Sequence, residues 1–394
     1  MHLRRALASL AIIALPLLAD GATAQTRWPD AWMEPQDTAE AVFESDMYAW
    51  RLFVALNWPG DPVRREADRS KPFGAPGVTT WETWRSTNPE APDSVFRFDA
   101  RDPGPWNDVP MQVAMARSIK SFDLSLTVRR QSARAATRSI TRAPIFVGGE
   151  VDRNNEVRFN KAAFEFVRAS NFYRQDGIRD ALRAGNKTVN APPMTKTIKA
   201  QWRKIAEADK PRFHWAEVAL ENGTKDLFGL VALHITTKDL PNWFWATFEH
   251  VDNKKAGRVS EGIDLDGWQL PSVDRFACTP DRVGCEEIPK SIGLEGTKWA
   301  NYRLRGTQVD YQNSLGEPTL LSNSVLEKGL QKSSCVSCHA KAAAGELAGD
   351  TTAPDERDLK PPAADFFKDG EGKQRFIQTD FLWSLAMRPR PANP

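Results

Sequence analysis

FHWAEVALE (213–221), DLFGLVALHITTK (226–238) and NWFWATFEHVD (242–252) lie almost end to end. Each run is rich in β-branched and aromatic residues, and the breaks fall at Asn222-Gly223 and Leu240-Pro241, both turn-forming pairs. The pattern predicts an antiparallel meander. Downstream, WANYRLRG (299–306) and TQVDYQN (307–313) add two candidate strands, and Ser324–Lys332 reads as a helix. Upstream, residues 37–58 carry an apolar stripe through Val42, Phe43, Met47, Trp50, Phe53, Val54 and Leu56, which predicts a helix capped at Asp37 and ended by Pro59. A second helical pattern covers Asn160–Ala184, and residues 59–110 read as long loops around a WETW segment (81–84). The fold class that follows is α+β, an antiparallel sheet flanked by helices with the C-terminal segment packed on it. The expected division is a helical and loop region over 25–210, a β-rich region over 211–320 and a last segment over 321–394, unless 25–394 forms one body. The 14 tryptophans cluster as Trp50, Trp58, Trp81, Trp84, Trp243 and Trp245 among others, and are expected in the core.

The first residues set a compartment. His2, Arg4 and Arg5 precede an apolar stretch from Ala6 to Leu18, and Ala22-Thr23-Ala24 is a small-residue cleavage site, so residues 1–24 read as a secretory signal peptide cut near Ala24. An uncleaved anchor is the alternative, but the stretch is shorter than the roughly 20 residues a bilayer needs and is broken by Pro16. The expected location is the periplasm, with no membrane span after cleavage. Hydrophobic residues are 41%, charged residues 26% and the net charge +2, a balance that gives no reason to expect a nucleic-acid partner. The run Arg129–Arg142 holds five arginines without an acid. It reads as a solvated face or as a surface for an acidic redox partner.

Four cysteines remain to be placed. Cys278 and Cys285 flank a Pro-Gly-containing loop (FACTPDRVGCEE, 276–287), which in an oxidising compartment predicts a disulfide. Cys335 and Cys338 stand in CVSCH, directly before His339. Two thiols three positions apart can reach the two vinyl groups on one porphyrin edge, and the adjacent imidazole can then ligate iron. One covalent haem c held by Cys335 and Cys338, with His339 as proximal ligand, is therefore expected. A thioredoxin-like redox pair would open a long helix after a strand, and a four-cysteine metal site would need a second C-x-x-C and leaves His339 unexplained.

On CVSCH the chain resembles the c-type cytochromes. More loosely, HITTKDLPNWFWATFEH (234–250), CVSCHAKAA (335–343) and TDFLWSL (379–385) are similar to the β-sheet cytochromes, namely cytochrome c-prime-beta and its hydroxylamine-oxidising relatives. In those a sheet precedes a C-terminal C-x-x-C-H, a Lys-aromatic-Trp segment lies in the sheet and an Asp-aromatic pair follows the motif. The likeness covers about residues 210–385, and the stretch from His339 to Asp380 is longer here. ALNWP (55–59), WETW, WFWATFEH and SCVSCHA also resemble the large bacterial proteins described simply as c-type cytochromes.

The far side of the iron separates the functions. Met387, 48 residues beyond His339, is a possible distal ligand, as are His234 and His250; each has an ordinary structural reading as well. A sixth protein ligand favours one-electron transfer with a periplasmic redox partner. An open face, which the β-sheet cytochrome likeness implies, favours a haem enzyme or a binder of a diatomic gas or other small molecule. An electron carrier is the favoured expectation over an oxidoreductase, because Glu217, Glu221 and Glu249 form no acid/base pair and no other catalytic motif is present.

Overall fold

The computed structural model describes residues 30–89, 91–108, 155–219, 224–253, 292–313, 315–323, 325–327, 333–352 and 358–391. The leader, the arginine run, Cys278, Cys285, Asn222-Gly223 and most of 324–332 lie outside these residues. Two helices, α1 (Glu40–Phe43) and α2 (Ser45–Leu56), stand where one was expected over 37–58. The break is at Glu44, whose φ of −135° leaves the helical region. Asp37 receives the N–H of Ala39 at 2.9 Å, one turn before α1 is established. Asn57 closes α2 by donating its side-chain amide to Phe53 O (2.8 Å), two residues ahead of Pro59.

The loop region that follows contains the short pair β1 (Gly60–Asp61) and β2 (Glu66–Ala67), a 3-10 turn at Trp81–Thr83 and β3 (Arg85–Ser86). After β4 (Asn155–Phe159) come α3 (Lys161–Ala169) and α4 (Gln175–Arg183), two helices in place of one pattern over 160–184. Asn160 caps α3 by accepting the N–H of Ala163 (3.0 Å). Asn171 interrupts the run with a φ of 58°, and Gly177 lets α4 pass close to it: a Cβ there would lie 2.3 Å from Asn171 O.

The expected meander is present as β6 (Trp215–Ala219), β7 (Lys225–Thr237) and β8 (Phe244–His250), but the sheet is wider than the meander. It also takes in β5 (Lys196–Lys204) and β9 (Tyr302–Gln308), and its order is β3-β4-β5-β7-β8-β9, all antiparallel, with β6 paired to the first half of β7. Three of its strands thus come from before residue 210. β9 joins WANYRLRG to TQVDYQN in one strand where two were expected. The chain ends with α5 (Cys335–His339), β10 (Ala343–Ala344), β11 (Ile377–Gln378) and α6 (Trp383–Met387).

Register gives the sheet two unlike faces, because side chains alternate along each strand. Leu233 pairs with Ala200 and Phe248, and Ile235 with Ile198 and Ala246; this apolar face meets α2, where Phe248 lies 5.0 Å from Trp50 and 4.4 Å from Phe53 between ring centres. His234 pairs with Lys199 and Thr247, and Thr236 with Thr197 and Trp245, so the opposite face is polar apart from Trp245. α5 packs on that second face. Burial of the tryptophans follows the expectation for Trp50, Trp81, Trp243 and Trp299, which are fully buried, while Trp215 is partly exposed.

The last segment is tied back to the first half of the chain. Gln175 donates from its side chain to Gly345 O (2.9 Å) and from its backbone to Arg390 O (2.9 Å), and β11 exchanges backbone hydrogen bonds with Lys187 and Val189. Among the described residues no helix is long and apolar enough to cross a membrane.

Candidate functional site

CVSCH is a single helical turn, and the sequence around it explains why it forms there. Ser334 caps α5 by accepting the N–H of Ser337 (3.2 Å), and Cys338 N–H donates to Ser334 O (3.0 Å). Gln308, at the end of β9, fixes the turn to the sheet: its side-chain carbonyl accepts Val336 N–H (2.9 Å), and its amide donates to Ser334 Oγ (2.8 Å) and Thr319 O (2.9 Å). Ser334→Ala removes one acceptor from this junction and is expected to cost about 1 kcal/mol, read as a lower denaturant midpoint. An unchanged midpoint would mean that Gln308 alone holds the turn.

The spacing i, i+3, i+4 puts Cys335, Cys338 and His339 on one face of the turn. Val336 and Ser337 between them are buried, whereas those three remain partly accessible and both cysteines are free thiols. Among the described residues no three His, Cys, Asp or Glu side chains converge on a point where one metal ion could sit. The donors of the turn lie along one of its faces.

Electrostatics set the protonation of each group. Burial pushes the Cys335 thiol well up and the Cys338 thiol up to about 11, with the Glu327 carboxylate adding to both. Cys335 Sγ lies 3.2 Å from Leu321 O, and the Trp383 side chain hydrogen-bonds Cys338. Burial pulls His339 down to about 4 against the effect of the Phe381 carbonyl, so its ring is neutral at neutral pH. His339 Nδ1 is 2.7 Å from Phe381 O. A carbonyl only accepts, so Nδ1 carries the proton and Nε2 presents its lone pair, the form that ligates a metal. Trp245 covers the imidazole with ring centres 4.6 Å apart.

Of the candidates for the far side of an iron, His234 is on the same sheet face as α5. Its Nε2 is 3.0 Å from Glu327 Oε2, and Lys199 Nζ is 3.7 Å from the other carboxylate oxygen. Burial would raise the Glu327 carboxyl, but His234, Lys199 and the Asn323 N–H outweigh it and hold the group down at about 2. His250 is elsewhere: its ring stacks on Phe213 (3.7 Å) and meets Tyr302, which contacts Phe53 of α2, and both of its nitrogens are engaged, by Arg212 O and Asp252 N–H. The structure does not bring it to α5. Met387 lies half-buried on α6, one helical turn beyond Trp383.

Lys199, Glu327 and Gln308 were not singled out by motif, and Phe381 only as the aromatic member of an Asp-aromatic pair, with no role for its carbonyl. The first two are ordinary surface types, and the last acts through its backbone. Comparison with known proteins returns nothing: no protein-family model matches the chain, and no curated protein or solved structure matches it.

Proposed function

We propose that this chain is an exported c-type cytochrome that carries one covalent haem c and passes single electrons to and from a periplasmic partner protein. The observation that carries the reading is the shared, partly accessible face of Cys335, Cys338 and His339 with His339 Nδ1 tied to Phe381 O at 2.7 Å. The residues fit the group: two free thiols at vinyl spacing, a neutral imidazole with Nε2 available and a flanking indole from Trp245. Cys335 and Cys338 would hold haem through thioethers and His339 would ligate its iron. Bound there, haem supplies a reversible one-electron couple. The polypeptide's part is to exclude water with Trp245 and the α5 turn, to fix the imidazole, and to place the Lys199–Glu327 ion pair nearby. The leader over 1–24 and a Cys278–Cys285 disulfide belong to the same reading, since both fit an oxidising, exported setting.

A second reading has its own observation. The His234–Glu327–Lys199 group is polar and titratable, stands beside the motif and engages His234 Nε2. Such a group suits a haem whose sixth position is open to a diatomic gas or another small molecule, as in an enzyme or a gas binder. The optical spectrum of the oxidised, reduced and carbon-monoxide-treated reduced protein decides. The electron carrier is expected to be low-spin and indifferent to the gas; a high-spin spectrum with rapid carbon monoxide binding overturns it in favour of the open site.

A further inference from the structure

The carbonyl that receives His339 belongs to an unusual turn. Asp380 and Phe381 follow one another with φ of 46° and 64°, and Leu382 N–H closes the turn on Thr379 O at 2.9 Å. Two left-handed residues inside a closed four-residue turn are the mark of type I′, where Asn and Gly are the ordinary occupants. Phe in the second place is disfavoured, so something else must hold the backbone in this form.

Asp380 does so. Its side chain is nearly buried, and its carboxylate takes hydrogen bonds from three separate segments: Lys238 Nζ at 2.6 and 2.7 Å, Trp243 Nε1 at 3.1 Å and Ala191 N–H at 2.7 Å. Lys238 directly follows β7, Trp243 directly precedes β8, and Ala191 precedes β5. The turn is thus pinned to the ends of three sheet strands. A second route leads to the same imidazole, because Trp243 lies 6.4 Å from both Phe381 and Trp245, and Trp245 covers His339.

We propose that Asp380 is a positioning residue for His339: by holding the Thr379–Leu382 turn it aims the Phe381 carbonyl at Nδ1, which fixes the nitrogen that faces the haem and raises its donor strength. A hydrogen bond from Nδ1–H to a carbonyl makes the opposite nitrogen a better base, and a stronger donor stabilises ferric over ferrous iron. Asp380 acts through the turn, its carboxylate being engaged by Lys238, Trp243 and Ala191. The inference rests on the haem reading proposed above.

Asp380→Asn and Lys238→Met, made in the full-length protein and matured with haem, test it by haem stain and optical redox titration. Both variants are expected to keep covalent haem and to titrate higher than wild type. The expected size is about a tenfold change in the ferrous-to-ferric ratio at a fixed ambient potential, or about 59 mV for one electron. A role as a bare charge makes the opposite prediction for one of them, since removing a carboxylate raises the potential whereas removing an ammonium lowers it. A fall in Lys238→Met, or unchanged potentials in both variants, overturns the proposal. Should Asp380→Asn fail to fold, Lys238→Met decides alone, because it removes the Lys238 bonds that pin the turn to the end of β7 while the bonds from Trp243 and Ala191 keep the segment folded. Wild-type protein without covalent haem would overturn the haem reading and this inference with it, and it shows on the gel before any titration.

Discussion

Changing both Cys335 and Cys338 to Ala is expected to abolish covalent haem, seen as loss of haem stain on a denaturing gel. Neither thiol builds the turn. Ser334 caps it, Gln308 accepts the Val336 N–H and Gln378 donates to Ala340 O at 2.7 Å, so the variant is expected to fold with its turn in place. Loss of haem is then a loss of bonds to the cofactor and not of structure. Each single substitution leaves one thiol on the accessible face and is expected to keep a fraction of the haem through one thioether. Covalent haem persisting in the double variant would refute the attachment site. A normal stain in the double variant could not be explained by His339, because a coordinate bond does not survive denaturation.

The largest effect on stability is expected at Phe53. Its ring lies against Trp50 (5.5 Å), Phe248 (4.4 Å), Trp299 (5.6 Å) and Tyr302 (6.0 Å), and it is fully buried where α2 meets the apolar face of the sheet. Phe53→Ala removes the ring and leaves a cavity that these rigid neighbours cannot refill, at a cost of about 3–5 kcal/mol. Phe43, ten residues earlier in the same expected helix, is 84% exposed, and Phe43→Ala is expected to stay within about 0.5 kcal/mol of wild type. Denaturant unfolding checks the pair. A Phe53→Ala loss of about 1 kcal/mol or less would show that α2 is not the cover of this face.

The contrast between Phe43 and Phe53 also shows where the sequence is ambiguous. Both belong to one apolar stripe, yet the break at Glu44 turns α1 so that Phe43 faces outward. The meander was legible because its runs are apolar and end in turn-forming pairs. β5 was not, because KTIKAQWRK reads as a polar segment. Its Lys196 is fully buried and is met by Glu34 (2.9 Å) and Asp239 (3.6 Å), partners that no local pattern connects to it. That Cys335, Cys338 and His339 would share one face was legible as well, since their spacing is that of a single helical turn. The rest depends on contacts remote in sequence: His234 meets Glu327 across 93 residues, and His339 meets a Phe only through its carbonyl.

The bonds from the last segment to Gln175, Lys187, Val189 and Ala191 carry a consequence for timing. A chain made from its N-terminus presents those four residues long before their partners arrive, so the first half waits with its donors and acceptors in water. The piece that satisfies them is the piece that bears Cys335 and Cys338. Once it docks, both thiols are held above their ordinary pKa, and a thiol that resists ionisation is a sluggish nucleophile. Arrival and closure become successive events on one short segment, and a delay in the first postpones the second for the whole chain.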